Sequence, residues 1–187
     1  MLGLEKGFVC LVPYDPAWQE MFANEKARLQ AAIGGFILDI QHVGSTAIPG
    51  CLAKPIIDFA IAVKDLDQIE TCVPLSLRGT LLEGLGCSYH GENGIPERHY
   101  FQYRNPLTLF HLHMSTPDHA NWVNHIRFRD YLRSHPEAVE AYSALKQALA
   151  AQFTYDRVAD TEGKTDFILN ILEKANETNP LALRLPL

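Results

Sequence analysis

The sequence has no excess of basic residues and no apolar stretch long enough to cross a membrane. Its 187 residues include 16 Lys and Arg against 22 Asp and Glu, so the net charge is −6. A broad, sequence-independent grip on nucleic acid usually shows as a basic excess, and this balance argues against it. The first residues also lack the charged and then apolar order of a signal peptide. The sequence therefore predicts a cytosolic protein without a membrane span.

Cysteine is sparse and is not arranged as a metal or redox motif. No two cysteines form a Cys-x-x-Cys pair, which predicts neither a zinc knuckle nor a dithiol site and favours reduced, mostly buried thiols. The cysteines are Cys10, Cys51, Cys72 and Cys87. Internal repeats and a linker rich in Pro, Gly and Ser are also absent. We therefore expect a single domain over residues 1–187, with its core at about 8–175.

Residue patterns predict a mixed sheet in the first two thirds of the chain and a helical layer in the last third. Strands are expected at 8–12, 36–43, 55–63, 86–89, 99–104 and 108–114. Helices are expected at 16–33, 65–84 with a break near Pro74, 119–133, 136–153 and 161–175, with Ser134 as N-cap before Pro136. The run 55–63 is almost continuously apolar, which is typical of a strand covered on both faces. These elements favour an α/β or α+β fold in which helices pack on a mixed β-sheet.

A Gly-Ser pair directly follows the strand at 36–43. Gly44 permits a close backbone approach and Ser45 supplies a hydroxyl, which together suit a phosphate oxygen. The pair also occurs in many ordinary turns, so a purely structural role stays open. His42 precedes the loop and either orients it through a hydrogen bond or is a satisfied structural histidine.

Asp58 is a lone carboxylate inside the apolar run 55–63, where an unpaired charge would be costly. Its cation could come from Lys54, from an arginine elsewhere in the chain or from a bound divalent metal. A carboxylate that faces a Gly-Ser loop can serve as a metal ligand for phosphoryl chemistry. A structural ion pair between Asp58 and Lys54 is the alternative.

Five segments together resemble the GrpB family. They lie at 12–18, 42–50, 53–58, 128–133 and 164–168, in the family's order over residues 8 to about 175. That family is similar to the nucleotidyltransferase superfamily, in which a Gly-Ser loop grips a nucleotide triphosphate and carboxylates on a strand hold magnesium. Some family members are fused to dephospho-CoA kinase. The resemblance therefore implies a nucleotidyltransferase-like fold and a nucleotide or another phosphorylated ligand.

The resemblance also implies roles for individual residues. It makes Asp58 the catalytic carboxylate and a metal ligand. The phosphate-binding residues that it implies are Gly44, Ser45, Thr46, Lys54, Arg98, Arg129, Lys146 and Lys164. The chain departs from the family at Phe110, where many relatives carry histidine, and at Asp160, where tyrosine is common.

The carboxylate pattern of an active transferase is incomplete in this chain. Two metal ions need two or three converging carboxylates, and side chains two apart on a strand share a face, so Asp-x-Asp is expected. Ala60 stands at the second position. His111 and His113 alternate on one strand, point the same way and could face Asp58. Either they complete a divalent metal site, or they are hydrogen-bonded core residues or phosphate donors.

The metal and the basic helix residues each have two interpretations. The family resemblance implies magnesium or manganese ahead of zinc, whereas imidazole ligands with a carboxylate favour zinc, manganese or iron. Arg129 and Arg133 are one helical turn apart and could bind one anion together. A solvated helix face, or pairing with Asp130, is the ordinary explanation for them.

Three functions follow from these patterns. The first is a nucleotide-dependent transferase with a metal-linked Asp58. The second is a binding module that keeps the phosphate cradle but has lost catalysis, as Ala60 indicates. The third is a His/Asp metal hydrolase that acts on a small phosphorylated or acidic substrate.

Overall fold

A mixed β-sheet lies at the centre of the computed structural model, which describes residues 2–5, 7–67 and 86–178. Its strands are β1 (Ile37–Val43), β2 (Ile57–Val63), β3 (Cys87–Tyr89), β4 (His99–Arg104) and β5 (Thr108–Ser115). They lie in the order β1-β2-β5-β4-β3. β2 runs parallel to β5 and antiparallel to β1, while β4 pairs antiparallel with β5 and β3. The apolar strand β2 is an inner strand and is buried on both faces, as its sequence predicts.

Helices pack on this sheet, which confirms the predicted mixed α/β fold. They are α1 (Ala17–Ile33), α2 (Ala120–Ser134), α3 (Pro136–Gln152), α4 (Arg157–Glu162) and α5 (Thr165–Thr178). Short 3-10 turns at Gly34–Phe36 and Ser45–Ala47 lead into and out of β1. Within the described residues, no helix is both long and apolar enough to cross a membrane.

The side chains of β2 alternate between two different environments. Phe59 and Ile61 belong to the main hydrophobic cluster, which includes Trp18 of α1. Ala60 belongs to a smaller cluster with Trp122 of α2. Because side chains two apart on a strand share a face, Asp58 lies on the α2 side of the sheet together with Ala60. This placement leaves the carboxylate at the start of β2, next to the end of β1.

The structure differs from the sequence predictions at three places. Residues 8–12 form no strand, and Val12 makes only an isolated bridge to Ala53. The expected helix at 161–175 is two helices, α4 and α5, separated at Gly163 and Lys164. Ser134 is not an N-cap but the last residue of α2, and its hydroxyl donates to backbone carbonyls of that helix.

Part of one further prediction lies outside the described residues. The helix expected at 65–84 enters the described part of the chain only up to residue 67. Cys72 and the break near Pro74 also lie outside it. The described free cysteines are Cys10, Cys51 and Cys87, and the last two are buried.

Candidate functional site

The Gly-Ser loop, residues 44–47, begins where β1 ends and lies directly against Asp58. Gly44 has a φ of 69° and a ψ of −175°, a backbone region that is essentially restricted to glycine. A Cβ on Gly44 would lie 2.3 Å from Oδ2 of Asp58. Glycine is therefore required both for the backbone conformation and for the close approach of the carboxylate.

Buried side chains hold this loop from behind. Nε2 of His42 lies 3.0 Å from Oγ1 of Thr46, whose hydroxyl in turn donates to the Ile56 carbonyl at 3.4 Å. The His42 ring stacks on Phe22 at 4.8 Å, and burial lowers the pKa of His42 to about 4. His42 thus orients the loop as a neutral imidazole. The Thr46 hydroxyl, which is a predicted phosphate ligand, is thus hydrogen-bonded within the protein.

Asp58 faces His111 and His113, as the strand alternation predicts. Asp58 pairs with His111 in the parallel register of β2 and β5, and Ala60 pairs with His113. Oδ1 of Asp58 lies 3.0 Å from Nδ1 of His111 and 3.5 Å from Nε2 of His113. Burial would raise the pKa of Asp58, but the hydrogen bonds from the two imidazoles outweigh it and hold that pKa well below its usual range. Asp58 is therefore an anion at any physiological pH.

Each imidazole has a guanidinium group on its other side. Nη2 of Arg157 lies 3.3 Å from Nε2 of His111, and Nη1 of Arg98 lies 3.3 Å from Nδ1 of His113. Arg98 is buried and also donates to the carbonyls of Glu92 and Asn93. The structure thus places Arg98, which was predicted to bind phosphate, behind His113.

The donor atoms of Asp58, His111 and His113 are of types that bind metal ions, but the groups behind the two histidines are not those usual at a metal site. Asp58, His111 and His113 each offer a ligand atom, and these atoms lie within 4.8 Å of one another. Two imidazoles and a carboxylate suit a transition metal better than magnesium. Imidazoles that bind metal normally donate their other N–H to an acceptor, whereas guanidinium groups occupy that place here. Metal binding by this group stays a prediction.

Lys146 connects α3 to the Gly-Ser loop. Its Nζ donates to Oγ of Ser45 at 3.0 Å and to the Leu52 carbonyl, and it lies 3.1 Å from Sγ of Cys51. Lys146 is buried, and that burial lowers its pKa. The ammonium group is also 4.2 Å from the centre of the Tyr142 ring. Lys146 therefore places a buried cation beside the serine hydroxyl of the loop.

Asp160 lies between two lysines that were predicted to bind phosphate. Its Oδ2 accepts from Lys164 at 2.8 Å and also from Lys54. The side chain of Asp160 is only 1% exposed. Burial would raise the pKa of Asp160, but the two lysines outweigh it and lower that pKa. In place of the alternative ion pair between Lys54 and Asp58, Lys54 pairs with Asp160, because Asp160 reaches the lysine from α4.

Arg129 and Arg133 bind the protein backbone near the loop. Arg129 is buried, and its Nη1 donates to the His42 carbonyl and to Oε1 of Gln41, both at 2.9 Å. Nε and Nη2 of Arg133 donate to the Ala47 carbonyl at 2.9 and 2.8 Å. The two guanidinium groups therefore brace different carbonyls around the loop. The donors of Arg129 are thus already used within the fold.

Three residues at the site were not recognised from the sequence as part of it. Arg157 and Asp160 belong to α4, which is about 110 residues from the Gly-Ser loop, and no local pattern marks them. His125 is on α2, and its ring lies 4.8 Å from that of His113, with Nδ1 unpaired among the described residues. Burial lowers the pKa of His125 to about 3. The spacing of four residues between His125 and Arg129 is a signal that could have pointed to it.

The charges around the loop are predominantly positive. Besides the arginines that donate to backbone carbonyls, four cationic side chains contact the Gly-Ser loop, Asp160 or His111. The cations are Lys54, Lys146, Lys164 and Arg157. Contacts run from Ser45 to Lys146 and from Asp58 through His111 to Arg157. A local positive site of this kind, in a chain of net charge −6, can attract an anion.

The relatives of the chain include proteins of its own size and longer ones. The family model described as GrpB protein matches residues 8–174. UPF0157 protein YqkA of Bacillus subtilis (strain 168) is 36% identical over 165 residues, which cover 88% of this chain and 46% of YqkA. The chain therefore spans about half the length of that relative.

Two solved structures are similar to the fold. The crystal structure of conserved protein GrpB from Enterococcus faecalis has a TM-score of 0.81 at 30% identity, covering 90% of this chain and 98% of that one. Terminal uridylyl transferase 4 from Trypanosoma brucei with bound dUTP has a TM-score of 0.50 at 10% identity, covering 90% and 56%. An identity this low shows a common fold and nothing about the ligand. The fold is thus similar to that of a terminal uridylyl transferase, and with its family model matched over residues 8–174 the chain belongs to the GrpB family.

Proposed function

We propose that this protein binds a phosphorylated small molecule, such as a nucleotide, at the Gly-Ser loop. The observation that carries the proposal is the excess of cations around that loop in an acidic chain. The ammonium group of Lys146 lies 3.0 Å from Oγ of Ser45, so one phosphate oxygen could contact both. Lys54 and Lys164 share the carboxylate of Asp160 and together carry one positive charge more than it, which could neutralise part of a second phosphate.

Binding without nucleotidyl transfer is the form of this function that the geometry supports best. Two-metal transfer needs two or three carboxylates at one point. Ala60 replaces the second one and is fully buried against α2. Asp58 has its Oδ1 engaged by two imidazoles. The proposal is therefore a phosphate-binding module in which Asp58 does not hold a pair of magnesium ions.

Calorimetric titration of the whole chain tests the proposal. Pyrophosphate, ADP, ATP and UTP are titrated with and without Mn²⁺, and at least one of them should bind. Lys146→Met should then weaken binding about tenfold or more, because a charged hydrogen bond to phosphate is lost while the apolar stem is kept. Ser45→Ala should weaken binding of the same ligand, and it spares the contacts of Lys146 with Cys51 and Leu52.

Lys174→Met is the matched control, because Lys174 is exposed near the end of α5. It removes the same charge away from the loop, so its affinity should equal that of the wild type. Absence of binding by all four ligands under both conditions would reject the proposal. Equal losses from Lys146→Met and Lys174→Met would also contradict it, since net charge alone would then explain the effect.

A further inference from the structure

The group formed by Asp58, His111 and His113 is ambiguous if its donor atoms alone are considered. The same three atoms can share a metal ion, or Asp58 can accept two N–H hydrogen bonds. The choice depends on the position of the single proton on each neutral imidazole. A neutral imidazole has one N–H group and one lone pair, so the partner of one nitrogen determines the role of the other.

The partners on the outer side are guanidinium groups, which can only donate hydrogen bonds. Arg157 therefore requires the lone pair of His111 at Nε2, and Arg98 requires the lone pair of His113 at Nδ1. The proton of each ring is then on the nitrogen that faces Asp58. Both contacts to Oδ1 become N–H donors to a carboxylate, in agreement with the lowered pKa of Asp58.

A metal ion would need the opposite arrangement. It would take the lone pairs of Nδ1 of His111 and Nε2 of His113, and each remaining N–H would then face a guanidinium group at 3.3 Å. Two donors would face each other at both contacts. The charge of the ion would also be close to two arginine cations.

We propose that Arg98 and Arg157 are positioning residues that hold His111 and His113 as N–H donors to Asp58 and thereby exclude a metal ion from this group. The position of the Arg98 side chain is the more constrained of the two, because it is buried and its guanidinium also donates to two backbone carbonyls. The inference is independent of the ligand bound at the Gly-Ser loop. It leaves Oδ2 of Asp58, which lies against Gly44, as the oxygen that no imidazole contacts.

The proton positions can be measured directly by long-range ¹H–¹⁵N NMR of the histidine rings. In the wild type, His111 should be protonated at Nδ1 and His113 at Nε2. Arg157→Met and Arg98→Met should each allow the other tautomer to appear at the corresponding histidine. If the wild-type rings were instead protonated at Nε2 of His111 and Nδ1 of His113, the inference would be overturned.

Titration with Co²⁺ and Zn²⁺ provides the second measurement. The wild type should bind neither ion more tightly than Asp58→Asn does. Arg157→Met should bind these ions on the order of tenfold more tightly or more than the wild type, which is the size of effect known for groups behind metal ligands. Arg127→Met is the charge-matched control, because Arg127 contacts Asn176 and not the histidines. If Arg98→Met does not fold, Arg157→Met alone decides. Stoichiometric Co²⁺ binding by the wild type that Asp58→Asn abolishes would contradict the proposal.

Discussion

Gly44 determines how closely the Gly-Ser loop approaches Asp58. Its backbone conformation excludes side chains, and its missing Cβ makes room for the carboxylate. Gly50 offers a comparison, because it also has a positive φ, of 77°, but has nothing within 4 Å of a Cβ position. A side chain at Gly50 would thus have a positive φ without a close contact, whereas one at Gly44 would have both.

Gly44→Ala should destabilise the protein about 2 kcal/mol more than Gly50→Ala, because only Gly44→Ala adds a clash with Asp58 to the backbone strain. Urea denaturation of both variants measures the difference in the free energy of unfolding. Gly44→Ala should also lower the affinity for any phosphate ligand that the wild type binds. Equal destabilisation by the two substitutions would show that the close contact with Asp58 has no energetic consequence.

Helix α4 is short, but it connects two parts of the chain through Asp160. The carboxylate is on α4, Lys54 precedes β2, and Lys164 follows the helix directly. Removing one partner of a buried ion pair leaves an uncompensated charge, which costs more than the pair itself contributes. Asp160 therefore stabilises the position of both lysines as well as the docking of α4.

Asp160→Asn should lower the free energy of unfolding by about 3 kcal/mol at pH 7. The folded pKa of Asp160 is depressed, so this stability is present above the unfolded pKa of about 3.9 and is lost as the pH falls through the folded value. In urea denaturation, the difference between wild type and variant should thus stay constant from pH 7 to about pH 5 and shrink as the pH falls below the unfolded pKa of about 3.9. Asp166→Asn, at an exposed carboxylate of α5, should show no such difference. A pH-independent gap would contradict this assignment.

Predictability from the sequence differed between elements for physical reasons. The apolar run of β2 and the alternation of His111 and His113 are local patterns, so the strand and the shared face could be predicted. The partner of Lys54 could not, because Asp160 is 106 residues away and reaches it only through the packing of α4. Arg157 was missed for the same reason, since no local spacing links it to His111, whereas Arg98 was predicted at the site but as a phosphate ligand.

The arrangement of the whole molecule explains why position 60 carries alanine. Ala60 and Ala62 form a small-residue face of β2, and Trp122 of α2 packs on it. His113 pairs with Ala60 in the strand register, and the ring of His125 on α2 lies against His113. A second carboxylate would thus have to enter a space that α2 already covers, which connects the lost ligand to the packing of the helical layer.

Ala60→Asp should therefore fail to restore nucleotidyl transfer, although it recreates the Asp-x-Asp pattern. An unpaired carboxylate at this buried position should cost about 3 kcal/mol or more in the free energy of unfolding. Urea denaturation and a pyrophosphate-release assay with Mn²⁺ and each nucleotide test both parts, and Ala60→Asn separates the added charge from the added volume. Since α2 covers position 60, a variant with wild-type stability and turnover would mean that this helix moves away from the sheet when the site is active.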